Sequence, residues 1–145
     1  MKILVQRVLN ASVTVEQEVV GAINRGLLLF VCFEKNDSEE ALQKSVEKIS
    51  KLRVFDDEKG RLNFDIQQVK GQVLSVSQFT LSWDGSGGHR PSFENSEAPQ
   101  TARLKYALFN KLLRDKGIEV NEGRFGADMK VSLTNDGPVT FLLEF

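Results

Sequence analysis

The sequence is poor in the residues that usually announce chemistry. It has one cysteine, Cys32, so no internal disulfide can form, which points to a reducing compartment. It has one histidine, His89, in a glycine-rich stretch. A Ser-His-Asp triad would have to use it, and a solvated loop residue is the stronger reading. No Cys/His cluster has zinc spacing. No phosphate loop, dinucleotide fingerprint or G-x-S-x-G nucleophile elbow occurs. No metal and no cofactor is therefore expected. No apolar run approaches the ~20 residues of a membrane span, and the run at the start is broken by Gln6 and Arg7. A cytoplasmic protein without membrane partners is the expectation. Neither charge sign dominates: 19 Lys and Arg stand against 20 Asp and Glu, a formal net charge of −1. That speaks against a broad nucleic-acid surface and against a DNA partner, since basic residues supply most non-specific affinity.

What is present suits one globular domain over residues 1–145. A chain of this size buries roughly 68–70% of its unfolded surface and needs no staples. Lys2 to Ile23 reads as strands with polar turns, through Val13, Val15, Val19 and Val20. Gly26 to Phe33 is a continuous apolar run, the mark of a strand buried on both faces. Cys32 lies inside it and reads as a small core residue rather than a nucleophile. Asp37 with Glu40 resembles a capping box opening a helix through Leu42, Val46 and Ile49. Leu62, Phe64 and Ile66 alternate like a strand. Gln72 to Leu81 reads as another, and residues 82–96 as a long loop of the kind that is functional or disordered. A second helix is predicted from Ala98 to Lys116, with Ala102, Tyr106, Phe109 and Leu113 on one face and Gly117 as its stop. Strands Ile118–Asn121, Met129–Thr134 and Val139–Phe145 complete the chain. The class is α+β: mostly antiparallel or mixed sheet, barrel-like in its packing, with two helices. Two helices are few for so much sheet, so a homodimer is expected.

Two segments stand out. In Leu74-Ser-Val-Ser-Gln-Phe-Thr-Leu81 a straight strand would put Leu74, Val76, Gln78 and Thr80 on one face, turning from apolar to polar along its length. A strand leaving the core to wall a pocket does this; on physics alone a half-exposed strand is the stronger account. In Asn135-Asp-Gly-Pro-Val-Thr140, Asp-Gly and Gly-Pro punctuate a turn, and an ordinary hairpin loop would explain it.

In this order and spacing, the chain resembles the D-aminoacyl-tRNA deacylases of the D-tyrosyl type. The matching pieces are MKILVQRVLNASVTV at the start, SQFTL (Ser77–Leu81), RPSF (Arg90–Phe93), GRFGADM (Gly123–Met129) and NDGPVT (Asn135–Thr140). The resemblance spans essentially the whole chain. It departs at Gly85–His89, where such proteins commonly carry lysine or arginine, so phosphate contact from this loop is weakened.

The resemblance implies a homodimeric hydrolase of the ester joining a D-amino acid, and also glycine, to the 3′ end of tRNA. It implies a cis peptide at Gly137–Pro138 that reaches into the partner's pocket and excludes L-amino acids by collision, with D side chains and glycine admitted. Backbone N–H groups of Phe79 and Thr80 are the candidate oxyanion donors, and the substrate's own ribose 2′-OH the proton handler. The Thr80 side chain as a nucleophile is the alternative; no base accompanies it. Ser77 and Gln78 are candidates for holding the adenosine or amino group. Phe125, Ala127 and Met129 either line the pocket or simply pack the core. Arg7, an ion inside an apolar strand, needs a partner if buried and is a candidate brace for the Gly-Pro segment. Two other readings stay open: a non-catalytic RNA-end or protein-binding module on this fold, and a conventional Thr or Ser esterase.

Overall fold

A computed structural model describes residues 1–145. Strands β1 (Lys2–Val15) and β2 (Glu18–Ile23) form a hairpin, and β3 (Gly26–Cys32) returns along the first half of β1. The two-residue turn Glu16–Gln17 takes positive φ at both positions, the twist a tight hairpin requires. Helix α1 (Glu39–Ser50), the small β4–β5 hairpin (Phe55–Asp56, Leu62–Phe64) and β6 (Gln72–Ser77) follow. Then come a 3-10 turn (Phe79–Ser82), helix α2 (Pro99–Asp115), β7 (Glu119–Glu122) and the long β8 (Lys130–Glu144).

The main sheet runs β2-β1-β3-β6-β7, with β8 on the other edge of β1. The β3–β6 and β6–β7 pairs are parallel and the rest antiparallel, so the sheet is mixed. It curls toward closure. Asn121 of β7 donates its side-chain amide to the Ala22 carbonyl of β2 at 3.0 Å, and a Cβ at Gly21 would lie 2.6 Å from the Glu122 carbonyl oxygen. Only glycine fits that approach.

The continuous apolar run of β3 is explained by two cores. Leu27, Leu29 and Val31 face the helices, where Leu42, Val46 and Ile49 of α1 meet Tyr106, Phe109 and Leu113 of α2. Leu28 faces the other way, among Val8, Val13, Leu74 and Val76. Each strand residue has an apolar layer on its own side, so no polar alternation is needed. Pro99 opens α2, and Gly117 (φ +82) ends it with its N–H on the Arg114 carbonyl at 2.8 Å. No helix is long and apolar enough to cross a membrane.

Four expectations are corrected. The N-cap of α1 is Ser38, whose side chain accepts from Ala41 N at 3.1 Å. Asp37 is engaged elsewhere: it accepts from Glu34 N at 2.7 Å and from the Met1 amino group at 2.6 Å. The strand from Leu62 (β5) ends at Phe64, and Ile66 is a buried residue of the turn beyond. The strand from Gln72 ends at Ser77, and Phe79 to Ser82 coil into the 3-10 turn, so the face alternation stops there. Finally, Asn135–Thr140 is not a hairpin turn between two strands. Both flanks pair with the same strand, β1, and the segment is an irregularity within β8, where register shifts near Gln6, Val8 and Asn10 absorb the extra residues. The Gly137–Pro138 peptide within it is cis.

Candidate active site

The candidate site is made where β6 gives out. Parallel pairing with β3 carries β6 as far as Ser77, and the N–H of Gln78 donates to the Val31 carbonyl at 2.8 Å. The backbone then turns sharply. Leu81 N bonds to Gln78 O, and Trp83 N to Thr80 O. The first N–H groups of such a turn, those of Phe79 and Thr80, find no acceptor inside it. The turn is held from behind: Ser82 Oγ donates to the Phe79 carbonyl at 2.8 Å, and the Cys32 thiol approaches the same oxygen at 3.5 Å. Burial pushes the Cys32 thiol up to about 11, so it stays protonated and serves as packing and a weak donor.

A cavity of about 760 Å³ opens beside this turn. Ser77, Gln78 and Phe79 form one wall. Phe125, Ala127 and Met129 form a second, on the loop leading into β8, where Gly126 at φ +77 turns the chain and Ala127 N donates to Arg124 O at 3.1 Å. These residues are therefore cavity lining, and several also pack on the cores. The third wall is the segment entering α2. Phe93 meets Phe79 edge to face at 5.0 Å between ring centres, and Glu97 is fixed by Lys105 at 2.7 Å. The hydrogen bond from Lys105 holds the Glu97 carboxyl below its ordinary range, so it is ionised and spoken for.

The sequence reading missed Lys35, Glu94, Ser96, Glu97 and Asp128, which also line the cavity. Lys35 and the Glu94–Glu97 segment come together through the Glu34–Ser96 bridge and the bond from Lys35 N to Asn95 O, contacts about sixty residues apart that leave no local periodicity, whereas Asp128 lies within the Gly123–Met129 motif. Thr80 lies off the cavity wall; its hydroxyl accepts from Gln78 Nε2 at 2.6 Å, and the side chain is exposed. His89 is in the exposed loop.

Gly137 and Pro138 are not on this chain's own cavity wall. Their segment is pinned by Arg7, which is buried in β1. Its Nε donates to the Asp136 carbonyl at 2.9 Å and stands 3.2 Å from the Asp136 carboxylate, while Nη1 donates to the Val54 carbonyl at 2.8 Å and to Asp56 at 3.2 Å. Arg7 thus has the partners that burial demands, and one of them is the residue before Gly137.

The model of the D-Tyr-tRNA(Tyr) deacylase family matches residues 4–144. The chain belongs to this family. As a member of the D-Tyr-tRNA(Tyr) deacylase family it has relatives of nearly the same length. It is 52% identical to a D-aminoacyl-tRNA deacylase of Saccharophagus degradans over 143 residues, 99% of each chain. It is 52% identical to one from an Exiguobacterium species over 144 residues, 99% of this chain and 98% of that one. Among solved structures it resembles the c-Myc DNA Unwinding Element Binding Protein, with a TM-score of 0.94 and 38% identity over 100% of this chain and 99% of the other. The fold described above is thus shared with that structure from end to end.

Proposed function

We infer that this protein hydrolyses the ester linking a D-amino acid to the 3′-terminal ribose of tRNA. The observation that carries the reading is the meeting, in one cavity of a deacylase-family chain, of the Ser77–Phe79 turn and the Phe125–Met129 loop. The cavity is large enough for an aminoacyl-adenosine and mostly apolar, with a few polar groups to orient it. An aminoacyl ester is already reactive, so modest stabilisation suffices. The free N–H groups of Phe79 and Thr80 hold the oxyanion that forms when water adds to the ester carbonyl, each donor worth roughly 3–4 kcal/mol. The ribose 2′-OH handles the proton, which ties the reaction to RNA. Ser77 and Gln78 orient the adenosine or the amino group. In support, the partner of the Thr80 hydroxyl is the Gln78 side-chain amide, which donates to it and is no base.

Chirality is decided by main-chain atoms of Gly137 and Pro138, which meet an L side chain and leave room for a D side chain or for glycine. Because these residues are off their own chain's cavity, they act in a partner's, and the working unit is a homodimer. The 3′ end of aminoacyl-tRNA is the partner, met locally, as a net charge of −1 requires. The name of the solved relative raises a second reading, binding of a DNA element; the same charge weighs against it.

The test is release of amino acid from tRNA charged with D-tyrosine, L-tyrosine or glycine by the purified protein. Release from the D and glycyl forms, with the L form spared, is expected. Equal release of D and L would sink the gate, and no release at all would favour a binding module.

A further inference from the structure

The cavity rim is oddly supplied for a protein that handles RNA. From Ser77 to Ala98 the chain offers a single arginine, Arg90, against the carboxylates of Asp84, Glu94 and Glu97. Lys35 lines the cavity from another segment, but this stretch of the rim offers phosphates little positive charge. Aromatic surface is abundant instead. Phe79 is 56% exposed although it lines the cavity, and Trp83, which closes the same turn, is 38% exposed. Both are held in place. Phe79 abuts Phe93. Trp83 N bonds to Thr80 O, its indole N–H donates to the Ser86 carbonyl at 3.3 Å, and Ser86 N is tied to Asp84 at 2.8 Å. Phe79 is the first residue of the turn and Trp83 the residue that caps it, so the two aromatics bracket the turn.

We propose that Trp83, with Phe79, is a stacking platform for the unpaired nucleotides that precede the terminal adenosine of the tRNA, and that stacking here does the work that phosphate contacts do elsewhere. The proposal rests on the deacylase reading and adds to it a surface outside the cavity. Stacking on a π face is tolerant of base identity. It holds the strand end against the cavity without a basic surface, and so reconciles an RNA substrate with an acidic rim.

Trp83 is the only tryptophan, so its fluorescence reports on this position alone. Titration of the whole protein with uncharged tRNA quenches it, and the same tRNA trimmed of its unpaired 3′ nucleotides does not. Trp83→Ala raises KM for D-tyrosyl-tRNA about 10-fold, leaves kcat in place, and leaves hydrolysis of D-tyrosyl-adenosine, which lacks those nucleotides, as in the wild type. Trp83→Phe recovers most of the KM. Equal losses of Trp83→Ala on both substrates, or no quenching together with an unchanged KM, would overturn the platform. The deacylase reading fails differently, through absence of D-amino acid release by the unaltered protein.

Discussion

Arg7 concentrates the cost of building this molecule into one side chain. A guanidinium in the middle of β1 is tolerable because two carbonyls and two carboxylates surround it. Arg7→Ala leaves the Val54 carbonyl without its partner in the interior and frees the Asp136 segment. A loss of about 2–4 kcal/mol in unfolding free energy is expected, read as a lower urea midpoint at unchanged slope. A Cβ at Gly137 would sit 3.4 Å from Arg7 Nη2, so the same variant, assayed where it is still folded, is expected to spare L-tyrosyl-tRNA less strictly. Thr80 separates the two chemistries considered for the ester. If its N–H is what matters, Thr80→Ala keeps kcat within about 10-fold of the wild type, whereas losing one oxyanion donor costs about 10²–10³-fold. A drop to the uncatalysed rate would instead make the hydroxyl a nucleophile.

At the level of elements, the start of α1 shows what a sequence can and cannot specify. Asp37 and Ser38 are both good caps, and Glu40 makes Asp37 look the better one. Tertiary contacts decide otherwise, because Asp37 is drawn to the Met1 amino group and Glu34, and Ser38 inherits the cap. Ser38→Ala should therefore lower stability by about 1 kcal/mol, measured by thermal unfolding. The same division runs through the fold. Both helices, the doubly buried β3 and the mixed sheet were legible because hydrophobic spacing and the Gly117 stop are local. The end of β6 at Ser77 was not. Gln72 to Leu81 has strand composition throughout, and pairing with β3 runs only to Ser77, with the Gln78 N–H taking the last carbonyl, Val31. The break matters, for a strand continuing to Leu81 would have spent the Phe79 and Thr80 N–H groups on a neighbour. Ser77, Gln78, Phe79, Phe125, Ala127 and Met129 were legible as site candidates through motif resemblance; Lys35 and Glu94 were not, since only the folded chain brings them to the same cavity.

On the scale of the whole molecule, β8 is the element that a single chain leaves unfinished. It has 15 residues, none of them buried, and it pairs only with β1. Phe141 and Leu142 are 38% and 53% exposed, with Leu9 on the neighbouring strand at 50%. A long apolar edge is a liability unless something covers it. Under the proposed gate, a second copy is the cover that would also complete the chemistry, because Gly137 and Pro138 lie on β8 yet outside their own cavity. Sedimentation should then give twice the 16.3 kDa of one chain. Leu142→Lys, placed on exposed surface, should shift the protein to monomer while its circular dichroism stays that of the folded chain. Deacylation selectivity should fall in step with the dimer fraction as protein concentration is lowered. A monomeric variant that still hydrolysed D-tyrosyl-tRNA at the full rate and still refused the L form would place the gate within one chain, and β8 would need another explanation for its exposed edge.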